Sequence, residues 1–355
     1  MTKDEKYIAR CIQLAQNGRR NAAPNPMVGA VIVHNDTIIG EGYHIRCGEA
    51  HAEVNAIRSV KDESLLKEST IYVSLEPCSH YGKTPPCADL IINKGIGRVV
   101  VGCHDPFSLV AGRGIAKLRE AGIEVKVGVL EDECKKLVRQ FVTFNTLKRP
   151  FITLKWAESA DGFIDLKRTG GKPYIFSSPL STMLVHKRRA EHSAILVGRR
   201  TALLDNPSLT TRSWHGQTPL RMVIDKDLTL PKQLALFNGD FRTWVFTRKE
   251  KISTQPNVEY IRLDFDKDIL PQMMEVLYRE KLQSLIVEGG SVLLQSFIDS
   301  DCWDEAFIEH SDAHLNEGVK APILPDSNDF LTYYRFGKEI KYVLNRGFER
   351  ENQVD

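Results

Sequence analysis

Apolar positions along the chain fall into short runs whose spacing switches repeatedly between strand and helix periods. Residues 6–17 carry Ile8, Cys11, Ile12 and Ala15 at helical spacing, and Gly18-Arg19-Arg20 breaks the pattern. Residues 28–34 form a β-branched run that predicts a strand; Asn35-Asp36 supplies a turn, and 37–43 reads as the returning strand of a hairpin. Helix is predicted at 52–60, strand at 71–75, helix at 88–93 and strand at 98–103. A helix at 115–121 closed by Gly122, a strand at 124–128 and an amphipathic helix at 131–147 complete this part. Leu137, Phe141 and Phe144 share one stripe of that last helix. The alternation predicts a sheet with helices packed on its faces.

Lys148-Arg149-Pro150 ends the first series, because proline biases the residue before it away from helix. The series then restarts. Strands are predicted at 151–155, 194–198, 221–225, 243–247 and 284–287, with further strands near 304–310 and 340–345. Helices are predicted at 179–190, 269–281 and 292–300. Two α/β domains follow, 1–147 and 148–355, a division that a length of 355 residues also favours over a single core.

Composition narrows the class without naming a function. With 48 Lys+Arg against 46 Asp+Glu the net charge is +2, so no strong electrostatic footprint for nucleic acid or anionic lipid is expected. The N-terminal MTKDEKYIAR has no apolar stretch of signal-peptide length, and no later run approaches a membrane span. Seven scattered cysteines are too sparse for a disulfide framework. Reduced thiols and a cytoplasmic location are expected, with Cys11, Cys103 and Cys134 as packing residues and Cys302 without a role.

The sharpest chemical signal is His51-Ala52-Glu53 with Pro77-Cys78 and Cys87 downstream, 24 residues separating Glu53 from Cys78 and eight separating Cys78 from Cys87. One imidazole and two thiolates suit a tetrahedral Zn2+ whose fourth position stays open for water. A structural site would close that position. In mid-helix, residues i and i+2 lie about 200° apart, so His51 and Glu53 converge on one metal only off a helix N-terminus. That end also carries unpaired N–H groups and a positive dipole, which favour a thiolate or hydroxide. Cys87 follows Pro85-Pro86 and opens a second helix. Glu53, not a ligand, can shuttle a proton from the metal-activated water to a leaving amine. His-x-Glu and Pro-Cys…Cys is the arrangement of zinc base deaminases, although their second Cys usually follows after two residues rather than eight. His80 is the rival third ligand, and Cys87 is preferred.

The second half is less explicit. Strand 285–287 ends in Glu288-Gly289-Gly290-Ser291 and runs into a helix, where small residues let a phosphate approach backbone N–H groups. A tight turn alone would read the same. Gly198-Arg199-Arg200-Thr201 puts two cations and a hydroxyl at a strand's carboxyl end, the usual ligand position in open α/β sheets. Arg188, Arg189 and Arg212 are suited to bidentate phosphate contacts, while Lys187 and Arg188 also fit a solvated helix face.

Several runs together resemble a known family. They are Asn25-Pro26-Met27-Val28-Gly29-Ala30, Gly40-Glu41-Gly42-Tyr43-His44, His51-Ala52-Glu53-Val54 and Leu75-Glu76-Pro77-Cys78-Ser79-His80-Tyr81-Gly82-Lys83-Thr84-Pro85-Pro86-Cys87. They resemble the bifunctional riboflavin biosynthesis family, in which a diaminohydroxyphosphoribosylaminopyrimidine deaminase is fused to a 5-amino-6-(5-phosphoribosylamino)uracil reductase. The eight-residue cysteine spacing is that family's own. The second half is similar through Lys155-Trp156-Ala157-Glu158-Ser159-Ala160-Asp161-Gly162, residues 194–209 and Val287-Glu288-Gly289-Gly290.

The resemblance implies a cytidine-deaminase-like three-layer α/β/α domain followed by a dihydrofolate-reductase-like α/β domain. It implies zinc on His51, Cys78 and Cys87, Glu53 as proton donor, and Asn25 and His44 at the pyrimidine or ribose phosphate. In the reductase half it places NADPH against Ala157, Tyr174 or Ile175, Thr201, Asp205 and the loop Gly290, Ser291, Val292, Leu293, Leu294, Gln295 and Ser296. Lys172, Arg189, Leu209, Arg212 and Glu288 would meet the phosphorylated pyrimidine substrate. Gly112-Arg113-Gly114 belongs to the deaminase domain on this reading rather than to a dinucleotide loop. Three departures stand out: Phe107-Ser108-Leu109 where Asn-Pro is common, Ala160 where Leu is usual, and Tyr174-Ile175-Phe176 where Trp-Ile is usual. A homo-oligomer is implied; nucleic-acid and membrane partners are not.

Overall fold

The Thr2 hydroxyl accepts the Glu5 N–H while the Glu5 carboxylate accepts the Thr2 N–H, a reciprocal cap that starts the first helix ahead of its apolar stripe. In this computed structural model all residues are described except 20, 82–84, 106–111, 327–328 and 346–355. Arg20, Gly82-Lys83-Thr84 and the Phe107-Ser108-Leu109 departure therefore lie outside the described residues. The chain divides into two compact units, Met1–Leu147 and Lys148–Asp355. Among the described residues, no helix is long and apolar enough to cross a membrane.

The first unit runs α1 (Lys3–Ala15), β1 (Gly29–His34), β2 (Thr37–Tyr43), α2 (Ala52–Ser59), β3 (Thr70–Leu75), α3 (Cys87–Asn93), β4 (Arg98–Cys103), α4 (Arg113–Glu120), β5 (Glu124–Val127) and α5 (Glu131–Thr146). The sheet order is β2-β1-β3-β4-β5. β1 pairs antiparallel with β2 and β3, while β3, β4 and β5 are parallel. Asn35 and Asp36 both take positive φ, the backbone of the predicted two-residue hairpin turn.

Alternation along the strands builds two cores. Ala30, Ile32, Ile71, Val73, Val99 and Val101 face α2, α3 and α4 through Ala56, Ile57, Ile91 and Leu118. Val31, Tyr72 and Val100 face α1 and α5, together with the buried thiols Cys11, Cys103 and Cys134. The result is three layers. A Cβ on Gly42 would lie 2.3 Å from the Ala56 nitrogen, so glycine is what lets β2 and α2 touch backbone to backbone. That contact sets the position of α2, which carries His51 and Glu53 at its N-terminal end.

The second unit runs β6 (Phe151–Glu158), β7 (Phe163–Asp165), α6 (Pro179–Ala190), β8 (Ala194–Val197), α7 (Arg199–Asp205), β9 (Leu220–Ile224), β10 (Thr243–Thr247), β11 (Val258–Arg262), α8 (Ile269–Arg279), β12 (Ser284–Val287), α9 (Ser291–Asp299), β13 (Glu305–His310), β14 (Val319–Lys320), β15 (Asp329–Arg335) and β16 (Lys338–Leu344). Nine strands form one sheet in the order β11-β10-β9-β8-β12-β6-β13-β16-β15, and β7 pairs with β14 separately. From β11 to β13 neighbours are parallel; β16 and β15 add an antiparallel hairpin. One core packs Leu154, Trp156, Leu196 and Val287 under α8 and α9, and Ile195, Val197, Val223 and Ile286 face the other way.

Five elements of the second unit were not expected: the short strands β7 and β14, α7, β11 and β15. Arg199–Asp205 is a helix rather than a loop, with Gly198 as its N-cap. β11 and β15 lack a clear apolar alternation because each lies at a sheet edge and buries little.

Candidate functional site

In the first unit, three side chains from separate elements meet. His51 is the N-cap of α2 with an extended backbone, and its ring makes no capping bond. Cys78 follows the carboxyl end of β3, and Cys87 is the first residue of α3, behind the N-cap Pro86. The His51 Nδ1 lies 3.5 Å from the Cys78 Sγ and 3.4 Å from the Cys87 Sγ. All three donor atoms lie within 4.8 Å of one another. One nitrogen and two sulfurs at this spacing can hold a zinc ion and leave a fourth position free. His80 is exposed and is not among them.

The charges at this cluster are shared. A hydrogen bond from Cys87, and a second from His51, bring the Cys78 thiol down to about 4. The Cys87 N–H also donates to that sulfur at 3.3 Å. Cys87 is pushed up in turn, because its proton lies toward Cys78 and the group is buried. Glu53 sits in the first turn of α2, 3% exposed. Burial, and then the neighbouring Cys78 thiolate, raise its carboxyl to about 7.

Asn25 and His44 lie beside this cluster. The His44 ring meets the His51 ring edge-on at 5.5 Å between centroids. The His44 Nδ1 is 3.1 Å from the Ala50 carbonyl and its Nε2 is 3.1 Å from the Asn25 side-chain nitrogen. The carbonyl must accept, so Nδ1 carries the proton and Nε2 accepts from the Asn25 amide. Burial lowers the His44 pKa and keeps the ring neutral.

Glu76 is a residue to which sequence reasoning assigned no task. Its buried carboxylate accepts the N–H groups of Asp105, Gly112, Gly114 and Ile115. A Cβ on Gly114 would lie 2.0 Å from the Pro77 carbonyl oxygen. Gly112-Arg113-Gly114 is thus packed onto the Glu76-Pro77-Cys78 segment of the same unit. A carboxyl group directly before Pro77-Cys78 was the available sequence signal.

In the second unit, a cleft of about 800 Å3 opens at the carboxyl ends of β6, β8, β9 and β12. Of the residues expected there, Ala157, Ile175, Thr201, Asp205, Arg189, Arg212 and Glu288 line it. So do Gly290, Ser291, Val292, Leu293, Leu294 and Ser296. Three do not. Lys172 is exposed outside the cleft, and Leu209 is buried in the core at φ 53°. The Gln295 side chain instead brackets the Ile323 backbone, accepting its N–H at 2.8 Å. Tyr174 lines the cleft alongside Ile175, its ring tilted on Phe176 at 4.8 Å.

The starts of α7 and α9 lie side by side. The Gly198 N–H donates to the Gly289 carbonyl at 2.8 Å, and a Cβ on Gly290 would come within 3.1 Å of the Thr201 hydroxyl. Gly289 takes φ 123°, open only to glycine in practice. Arg189 grips Glu288 with two nitrogens at 2.9 and 2.6 Å and donates to the Thr210 carbonyl. Arg168 pairs with both Asp165 and Asp205, fastening the segment after β7 to α7. Lys155 also lines this cleft, and sequence reasoning quoted it without assigning a role. Burial lowers its pKa, while Glu288 and Glu309 act to raise it. A lysine inside the apolar run FITLKWAE was the signal for it. His186, another cleft residue, is pulled down to about 4 by burial and by Arg189 and Arg212, so its ring is neutral.

Known proteins match both units. Residues 1–103 match the family model for the cytidine and deoxycytidylate deaminase zinc-binding region, and residues 150–315 match that for the RibD C-terminal domain. The chain is 41% identical over 335 residues to the riboflavin biosynthesis protein RibD of Bacillus amyloliquefaciens, covering 92% of this chain and 89% of that one. It is 36% identical over 324 residues to RibD of Escherichia coli (strain K12), covering 86% and 87%. A crystal structure of a diaminohydroxyphosphoribosylaminopyrimidine deaminase/5-amino-6-(5-phosphoribosylamino)uracil reductase from Thermotoga maritima matches with TM-score 0.87 at 37% identity, covering 96% of this chain and 98% of that one.

Proposed function

The chain belongs to the bifunctional RibD family of riboflavin biosynthesis, a zinc deaminase joined to a dihydrofolate-reductase-like, nicotinamide-dependent reductase, and from that premise we propose which residues serve each reaction. The first substrate is 2,5-diamino-6-ribosylamino-4(3H)-pyrimidinone 5′-phosphate, which loses an amine by hydrolysis. The second step reduces the ribosyl group of the product to a ribityl chain. The convergence of His51, Cys78 and Cys87 on one point, with buried Glu53 beside them, carries the first assignment.

His51, Cys78 and Cys87 would hold the zinc. Bound there, zinc supplies an activated water for the hydrolysis. Glu53 takes the proton of that water and delivers it to the departing amine. Its burial holds the carboxyl near neutrality, where one group can serve as base and then as acid. Asn25 and neutral His44 present a fixed hydrogen-bonding edge to the pyrimidine. His44 cannot rotate freely, because Ala50 and Asn25 hold both ring nitrogens.

In the second unit, the adjoining starts of α7 and α9 offer N–H groups and the Thr201 hydroxyl to a dinucleotide pyrophosphate. Arg199 and Arg200, both at the cleft, favour NADPH over NADH by adding positive charge for the extra phosphate. The nicotinamide, when bound, supplies a hydride to C1′ of the ribosyl group. Arg189 and Arg212 attract the substrate phosphate from the same cleft. Glu288 holds the Arg189 guanidinium in place. Lys155 donates a proton to the ribose ring oxygen as the ring opens, and burial, which lowers its pKa against the opposing pull of Glu288 and Glu309, eases that release.

The test is a coupled assay on pure, zinc-loaded protein given the diaminopyrimidinone ribose phosphate, following ammonia release and NADPH absorbance separately. Both signals are expected. Ammonia without NADPH oxidation would remove the reductase assignment, and neither signal with zinc bound would remove both.

A further inference from the structure

Loop 45–49 lies between His44 and Ala50 and is exposed throughout, yet one side chain holds both of its flanks. Asn55 stands one turn beyond His51 in α2, its own N–H donating to the His51 carbonyl at 3.0 Å. Its side-chain nitrogen lies 2.9 Å from the Tyr43 carbonyl oxygen and 3.2 Å from that of Ala50. Carbonyl oxygens can only accept, so the NH2 group faces them and spends both of its hydrogens. Gly42 makes this reach possible, because a Cβ there would lie 2.7 Å from the Asn55 carbonyl carbon.

The Ala50 carbonyl is where this clasp meets the metal cluster. It accepts from Asn55 and also from the His44 Nδ1, 3.1 Å away, which uses both of its lone pairs. His44 is 3% exposed and its backbone N–H is bound to the Val28 carbonyl, so the ring is confined. A proton on Nδ1 leaves Nε2 as an acceptor, and that atom turns the Asn25 amide so that its NH2 points at His44. The donor and acceptor pattern beside the cluster therefore depends on a carbonyl that Asn55 holds still. We propose that Asn55 is a positioning residue of the deaminase site: through Ala50 it fixes the His44 tautomer and so sets the Asn25 amide for the pyrimidine. The pairing with substrate rests on the function proposed above; the tautomer does not.

The test compares Asn55→Leu, which keeps the size and removes the donor, with wild type in the full-length, zinc-loaded chain. Two-bond proton–nitrogen NMR of histidine-labelled protein reads the tautomer, the His44 signals being identified by their loss in His44→Gln. Wild type is expected to show His44 protonated at Nδ1 alone, and Asn55→Leu a mixture of both tautomers. In steady-state deamination, KM for the diaminopyrimidinone ribose phosphate is expected to rise about tenfold, the worth of one hydrogen bond, with kcat within about threefold and zinc content unchanged. A residue that merely supported the fold would move zinc content and melting temperature and leave the tautomer alone. Asn55→Ser, whose hydroxyl has one hydrogen for two carbonyls, takes the place of Asn55→Leu if that chain does not fold. Wild-type His44 protonated at Nε2, or a folded variant that keeps the wild-type tautomer, would overturn the proposal. An altered tautomer with KM unchanged would overturn its substrate half. If His44→Gln also kept its KM, the fault would lie in the contact given to His44 and not in Asn55.

Discussion

The Glu76 carboxylate accepts the Gly114 N–H at 3.0 Å, tying the residue two before Cys78 to the first turn of α4. Because Glu76 also takes the backbone N–H groups of Asp105, Gly112 and Ile115, its loss strands several buried donors together. Glu76→Ala is expected to cost the first unit roughly 1–3 kcal/mol and to lower its zinc content, since the Pro77-Cys78 segment loses its anchor. Thermal melting and zinc analysis measure both. Reduction of the deaminated intermediate, tested separately, is expected to continue.

The Arg189–Glu288 pair makes a different prediction. The two side chains are only 12% and 8% exposed, so removing either leaves a poorly solvated, uncompensated charge. Arg189→Met or Glu288→Gln alone is expected to destabilise by about 3–5 kcal/mol and to abolish NADPH oxidation. The double variant is expected to recover much of the stability but none of the reductase activity. Melting curves and NADPH absorbance separate the two effects.

Asp4 links stability to pH. Hydrogen bonds from Arg98 outweigh its burial, and with Lys126 and Tyr72 they hold its carboxyl well below the usual carboxylate range. A depressed folded pKa means the stabilisation is complete above the unfolded value near 4 and is lost as pH falls through the folded one. Asp4→Asn is therefore expected to cost roughly 2 kcal/mol at pH 7, with the gap to wild type narrowing below about pH 4. Urea denaturation across pH 2–7 is the measurement.

The elements that carry the site were readable where burial enforces a period. β2, β4, α6, β10 and β12 fall on the residues where periodicity predicts them; β4, β10 and β12 are paired on both sides, and the edge strand β2 is marked by the Asn35-Asp36 turn before it. β15 could not be read so, since neither of its faces is buried along its length. α7 was missed because its seven residues are too few to show a 3.6-residue period after Gly198. At the metal cluster, helix geometry sufficed to place His51 and Glu53 at an N-terminus, where the structure has them. The reductase residues rested on resemblance, and there Lys172, Leu209 and Gln295 fall outside the cleft. Lys155 and Glu76 could be singled out from their local sequence, but the partners they act through are distant along the chain, and no local pattern encodes those.

The most direct test of two separate chemistries in one chain is Glu53→Gln, assayed for zinc, ammonia release and, with deaminated intermediate supplied, NADPH oxidation. Zinc is expected to remain, ammonia release to fall roughly 10²–10⁴-fold, and NADPH oxidation to persist at the wild-type rate. Zinc retained with ammonia release unchanged would contradict the role given to Glu53.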